Sequence, residues 1–94
     1  MLRAEDDERV KSEMHERLAD ASRRVVGTKQ LLRALDEGKV AQAFVAGDAD
    51  LLLTKRVTDR CSKMNIPCEQ VESMEKLGRA CGIDVKAAAA GLLK

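Results

Sequence analysis

Tryptophan and tyrosine are absent from this 94-residue chain, and phenylalanine occurs once, as Phe44. Domains that hold single-stranded nucleic acid by stacking bases on exposed rings are therefore disfavoured, because no aromatic platform can be built. Histidine is as scarce: His15 stands alone among charged residues, where a solvated ring is the expected state. Without a second histidine no Ser/His/Asp or Cys/His set can be assembled, and neither G-x-G-x-x-G nor G-x-x-x-x-G-K-[ST] occurs. The chain is thus expected not to be an enzyme and to need no cofactor. It also lacks any apolar run of about 18 residues, and its N-terminus is charged rather than a basic tip followed by an apolar stretch. A cytoplasmic protein with no membrane partner is the expectation. Cys61, Cys68 and Cys81 form no C-x-x-C pair, so they read as buried thiols in a reducing compartment and not as a metal site.

What is present suits one small domain with a modest core: 45% of residues are apolar and 35% charged. The net charge of +1 conceals an asymmetry. Residues 1–20 hold seven acids against four bases, a balance of −3, whereas thirteen bases face nine acids from Ala21 onward, a balance of +4. An acidic leader on a basic body points to an anionic partner for the body.

Val10, Met14, Leu18, Ala21 and Val25 recur at spacings of four, four, three and four, one apolar stripe of a helix predicted over roughly residues 5–23. The stripe fits docking on the body or dimerisation of the chain and does not choose between them. Arg24 to Gly27 reads as a brief extended piece. Thr28 is the expected cap of the next helix, whose apolar face is Leu31, Leu32 and Leu35 and whose end is a left-handed Gly38. Val40 to Ala46 is an apolar run of strand length. Asp50 can cap a helix carrying Leu53, Val57, Cys61 and Met64, which Asn65 closes. A second strand is predicted over Ile66–Val71 with Pro67 at its beginning, followed by a short helix capped by Ser73 and ended by Gly82. In the tail, four consecutive alanines favour helix by intrinsic propensity, yet small residues also let a strand pack between helices. The alternation of strand and helix up to Gly82 favours a final strand over about Ala88–Leu93.

Several of these segments together resemble the kink-turn RNA-binding family typified by archaeal ribosomal protein L-seven-Ae. They are Gly27-Thr28-Lys29-Gln30, Ala46-Gly47-Asp48-Ala49-Asp50, Val71-Glu72-Ser73 and, above all, Leu77-Gly78-Arg79-Ala80-Cys81-Gly82-Ile83. The small bacterial YbxF-type branch is most similar, with "GTKQ" and "VESM" in this form. The resemblance runs from about Asp20 to Lys94, so the chain divides into a charged helical extension over 1–19 and an RNA-binding domain over 20–94. It implies an α/β fold, a three-layer α/β/α sandwich around a small mixed sheet of about four strands. It also implies a structured RNA partner containing a kink-turn, in which tandem sheared G·A pairs lie beside a sharply bent backbone. The sequence does not fix the oligomeric state, and a monomer is the expectation.

The residues could serve that purpose. Gly27 would let the main chain approach RNA, and the N–H groups opening the next helix would meet phosphate or base acceptors where the helix dipole is positive. Thr28 belongs to that turn, Lys29 and Gln30 would reach guanine or sugar edges, and Arg33 a phosphate or guanine. The resemblance adds the loop Ile83-Asp84-Val85-Lys86-Ala87, set beneath looped-out nucleotides, and Asp50 near a flipped base, although a helix cap explains Asp50 equally well. Lys29-Gln30 stand where archaeal and eukaryotic relatives carry Asn-Glu, and an amide oxygen accepts more weakly than a carboxylate. Met74 replaces a basic residue and Leu51 a proline. The rival reading is a ribosome-associated scaffold that uses the same fold to hold protein through the leader stripe.

Overall fold

The computed structural model describes residues 18–94. Four strands, β1 (Arg24–Val26), β2 (Val40–Ala46), β3 (Cys68–Val71) and β4 (Ala89–Leu93), alternate with three helices, α1 (Thr28–Asp36), α2 (Leu51–Met64) and α3 (Met74–Ala80). The sheet order is β1-β4-β2-β3. Strand β4 runs antiparallel to both neighbours, with Val25 opposite Gly91 and Phe44 opposite Ala90, while β2 and β3 are parallel. The sheet is therefore mixed, and helices cover both faces.

Alternation along β4 explains the two layers. Ala89 joins Leu31, Leu35, Val57 and Cys61 beneath α1 and α2. Ala90 joins Phe44, Leu77 and Cys81 beneath α3, together with Leu18 from the end of the leader. Each fully buried Leu or Val contributes about 1.5–3 kcal/mol. The alanine run is a strand despite its helical propensity because it lies centrally and needs small side chains. A Cβ on Gly91 would come within 2.5 Å of Leu31 Cδ1, so a larger residue there would force the buried Leu31 side chain out of its place over the strand.

Local chemistry sets most element ends. The Asp50 carboxylate accepts from the Leu52 amide at 2.8 Å, and Asn65 closes α2 in the left-handed conformation. Ser73 Oγ accepts from the Lys76 amide at 3.1 Å at the start of α3. Gly38 and Gly82 take φ of 70° and 72°. Arg24 reaches from β1 to donate through Nη2 to the Cys81 carbonyl at 3.1 Å, answering an acceptor at the end of α3.

Three expectations are corrected. The leader helix stops at Ala19, not near Arg23: the Asp20 carboxylate accepts from the Ser22 amide and hydroxyl, and Ala21–Arg23 form a separate 3-10 turn. Ala21 is exposed in consequence, while Leu18 is buried. Val10 and Met14 of the predicted stripe lie outside the described residues. The residue preceding α1 is Gly27, and Thr28 is the first helical residue rather than its cap. Third, Cys61 and Cys81 are buried but Cys68 is exposed, because it begins the edge strand β3 directly after Pro67.

Burial pushes the Cys61 thiol up to about 11, with the adjacent Cys68 adding to the effect; burial also raises Cys81, and partial desolvation of its sulfur raises Cys68 although the residue as a whole is exposed. Thiolate, the reactive form, is therefore sparse at neutral pH and increases as pH rises. Native protein should take up one equivalent of alkylating agent, at Cys68, slowly at pH 7 and faster at pH 9. Cys61 and Cys81 should react only after unfolding, and mass spectrometry of the labelled peptides checks the assignment.

Candidate RNA interface

Because β1, β2 and β3 all run in one direction and β4 in the other, three strand ends and one strand start share a single edge of the sheet. Two hydrogen bonds mark that edge. The Gly27 amide donates to the Ala89 carbonyl at 2.8 Å and the Ala46 amide to the Ala88 carbonyl at 2.9 Å. A third, from the Gly47 amide to the Val71 carbonyl at 2.7 Å, carries it on to β3. The segments 27–30, 47–50, 72–74 and 83–88, distant in sequence, are brought together there. Ligands of open α/β sheets bind outside the carboxyl ends of strands.

At this edge α1 begins without a side-chain cap, unlike α2 and α3. Leu31 is the first to close the helical pattern, donating to the Gly27 carbonyl at 2.9 Å. The amides of Thr28, Lys29 and Gln30 precede that bond, at the positive end of the helix dipole. Gly27 itself has φ of 102° and ψ of 144°, a conformation costly for any residue with a Cβ. Nothing lies within 4 Å of where a Cβ would stand, so glycine is required here by its φ, and the ground above it is open. Lys29 and Gln30 are exposed. Arg33 is exposed as well and pairs with Glu37 at 3.3 Å, while Lys39 holds the other carboxylate oxygen at 2.8 Å. The hydrogen bond and charge of Lys39, then Arg33, keep the Glu37 carboxyl below its ordinary value. Such a surface pair is weak and screened, so Arg33 can exchange Glu37 for another anion.

The second segment was only partly legible. Asp50 is exposed and serves as the α2 cap. Its neighbour Asp48, part of the Ala46–Asp50 segment but given no role by it, accepts from the Met74 amide at 2.7 Å and fastens the β2–α2 loop to the start of α3. Its partner is 26 positions away, beyond any local pattern. Leu51 and Leu52 are 79% and 73% exposed, apolar surface beside the Asp50 cap.

The loop over 83–87 rests on α3. Ile83 donates to the Gly78 carbonyl at 3.1 Å and Ala87 to the Met74 carbonyl at 3.1 Å. A Cβ on Gly78 would overlap the Val85 carbonyl oxygen; this glycine is therefore a seat for the loop. Asp84, Val85 and Lys86 face solvent, Ile83 is half-buried and Ala87 lies in the core. The middle three side chains are open to a ligand and Ile83 partly so, lining a shallow pocket with them beside Glu75 and Arg79, and Val85 offers apolar surface at 68% exposure. The single aromatic residue, Phe44, is buried in the core and takes no part. Among the described residues no group of His, Cys, Asp or Glu could hold a metal ion, and no helix is long and apolar enough to cross a membrane.

A family model described as the ribosomal protein L7Ae/L30e/S12e/Gadd45 family matches residues 11–94. An RNA-binding protein of Geobacillus kaustophilus is 48% identical over 80 residues, covering 85% of this chain and 98% of the relative. The RNA-binding protein YbxF of Geobacillus stearothermophilus is 45% identical over the same shares of the two chains. Among solved structures, the Giardia lamblia 15.5kD RNA binding protein is similar in fold, with a TM-score of 0.81 at 24% identity over 88% of this chain and 70% of that one.

Two substitutions test how the edge is held. Gly78→Ala places a methyl group against main chain, and should cost about 1–3 kcal/mol of stability and weaken amide-exchange protection at Ala87. Asp48→Ala removes the acceptor of the Met74 amide, and should cost about 1 kcal/mol while exchange at Met74 accelerates. Thermal denaturation with hydrogen exchange reads both; unchanged protection at these amides would contradict the assignment.

Proposed function

The chain belongs to the ribosomal protein L7Ae/L30e/S12e/Gadd45 family, in its bacterial YbxF branch, and from that premise we propose that it binds RNA and reads a kink-turn with the carboxyl edge of its sheet. The observation that carries this reading is the uncapped start of α1, presented beside the loop over 83–87. Main-chain amides of Thr28 to Gln30 would donate to RNA acceptors in the groove of the tandem G·A pairs. Lys29 and Gln30 would meet base or sugar edges, and Arg33 would leave Glu37 for a phosphate or guanine. Val85, Asp84 and Lys86, with Asp50 across the edge, would border nucleotides extruded at the bend, a mode suited to unstacked RNA bases. Since the family description names ribosomal proteins, a kink-turn of ribosomal RNA is one candidate target.

The affinity of the protein for a simple kink-turn RNA, compared with the same RNA lacking its G·A pairs, tests the reading. Lys29→Ala and Arg33→Ala should each weaken binding by about 1–3 kcal/mol and flatten the salt dependence by roughly one counterion. Gln30→Ala should leave the salt slope unchanged and reduce the preference for intact G·A pairs. Gln30→Glu, which places a carboxylate at the acceptor position, should keep or sharpen that preference. All four substitutions fall at exposed positions on the first turns of α1, so thermal stability should hold. Folded variants that bind like the original chain would remove α1 as the reader and favour the scaffold.

A further inference from the structure

Helices α1 and α2 lie side by side on one face of the sheet and both begin at the carboxyl edge, leaving between them an open groove of about 750 Å³ lined by Leu32, Arg56, Asp59, Arg60, Ser62 and Lys63. Its chemistry is uneven. On the α2 wall three bases face one acid. Arg60 is tied across the groove to Asp36 at the end of α1, which joins the two helices and spends that acid. Arg56 and Lys63 are exposed and have no ion pair among the described residues. They are seven positions apart in α2, hence on one flank and about 10 Å apart along the axis. On α1, Lys29, Leu32 and Asp36 follow the spacing i, i+3, i+7, so Lys29 shares the flank that borders the groove while also standing in the reading edge.

We propose that this groove is a second RNA contact, a sequence-independent track for the phosphate backbone of the helix that leaves the kink-turn; the proposal rests on the kink-turn reading and extends it. Charge and continuity identify the occupant. Two unpaired cations held on a rigid helix span several backbone phosphates of one strand rather than a single anion. Lys29 precedes the groove-lining Leu32 by one turn on the same flank of α1 and stands inside the surface proposed to read the G·A pairs, so RNA seated there would be aimed toward the groove. Phosphate contacts of this kind fix register and orientation and carry no sequence information. Arg60, engaged by Asp36, maintains the spacing of the two helices, and Leu32 forms the floor.

Two RNAs test it, one a kink-turn with minimal flanking helices and the other with the flanking helix extended by one turn. The natural chain should bind the extended RNA more tightly and with a steeper salt dependence. Arg56→Ala and Lys63→Ala should each lower the slope on the extended RNA by about one counterion, and together should weaken binding to it about tenfold. The short RNA and the ratio between intact and G·A-less sequences should be unaffected. Lys55→Ala removes the same charge from α2 outside the groove and should leave the slope on the extended RNA unchanged. If the double variant binds the extended RNA with the natural affinity and slope, the groove is not an RNA track. If the natural chain shows no preference for G·A pairs at all, the reading of the edge fails, and the groove proposal with it.

Discussion

The close packing of α1 against β4, through Leu31 over Gly91, is the constraint on which the rest of the molecule depends. β4 is central in the sheet, and its small residues allow helices to approach from both sides. Ala89 serves one core and Ala90 the other. Because β4 is antiparallel to β1 and β2, its first residue meets their last ones, and the loop that precedes it is delivered to the edge from which α1 departs. The proximity of the two halves of the candidate site is therefore a consequence of strand order and of three small residues, Ala89, Ala90 and Gly91.

The edge is fastened mainly by the main chain and by residues outside the proposed RNA contacts. Asp48 joins one loop to α3, Gly78 seats another, and the Gly27 amide anchors the start of α1 to β4. These ties come from different elements, so the surface is arranged before anything binds and little ordering is required of it on association. Ion pairs on this surface, such as Arg33 with Glu37, are of the exposed kind that exchanges readily.

Much of this was legible in the sequence where a local rule and the tertiary demand agree. The bounds of β2, the caps Asp50, Ser73 and Asn65 and the left-handed Gly38 follow from residue type and spacing. β4 was legible against its propensity, since the alternation of elements outweighs the helical preference of alanine. Rules failed where two local signals compete. Asp20 stops the leader helix by drawing the Ser22 amide to its own carboxylate, although the apolar stripe continues past it. At Gly27-Thr28 the backbone conformation, not the hydroxyl, decides where α1 starts. Cys68 is apolar in kind but occupies an edge strand. Asp48 with Met74 and Gly78 with Val85 are contacts between distant segments, which no periodicity encodes. The family resemblance located the edge; the roles of Asp48 and Gly78 required the fold.

The bare start of α1 has a bearing on how this surface can change over time. Three of its donors are amides, present whatever side chains occupy positions 28 to 30, and they are aimed by the φ of Gly27 and by the bond to Ala89. On the proposed reading, recognition would be divided between an invariant part, supplied by backbone geometry, and an adjustable part, supplied by Lys29, Gln30 and Arg33. Affinity or preference would then be adjustable through those three side chains while the main-chain donors stay in place. Gly27, which contacts nothing where a side chain would stand, is held to glycine by its φ alone.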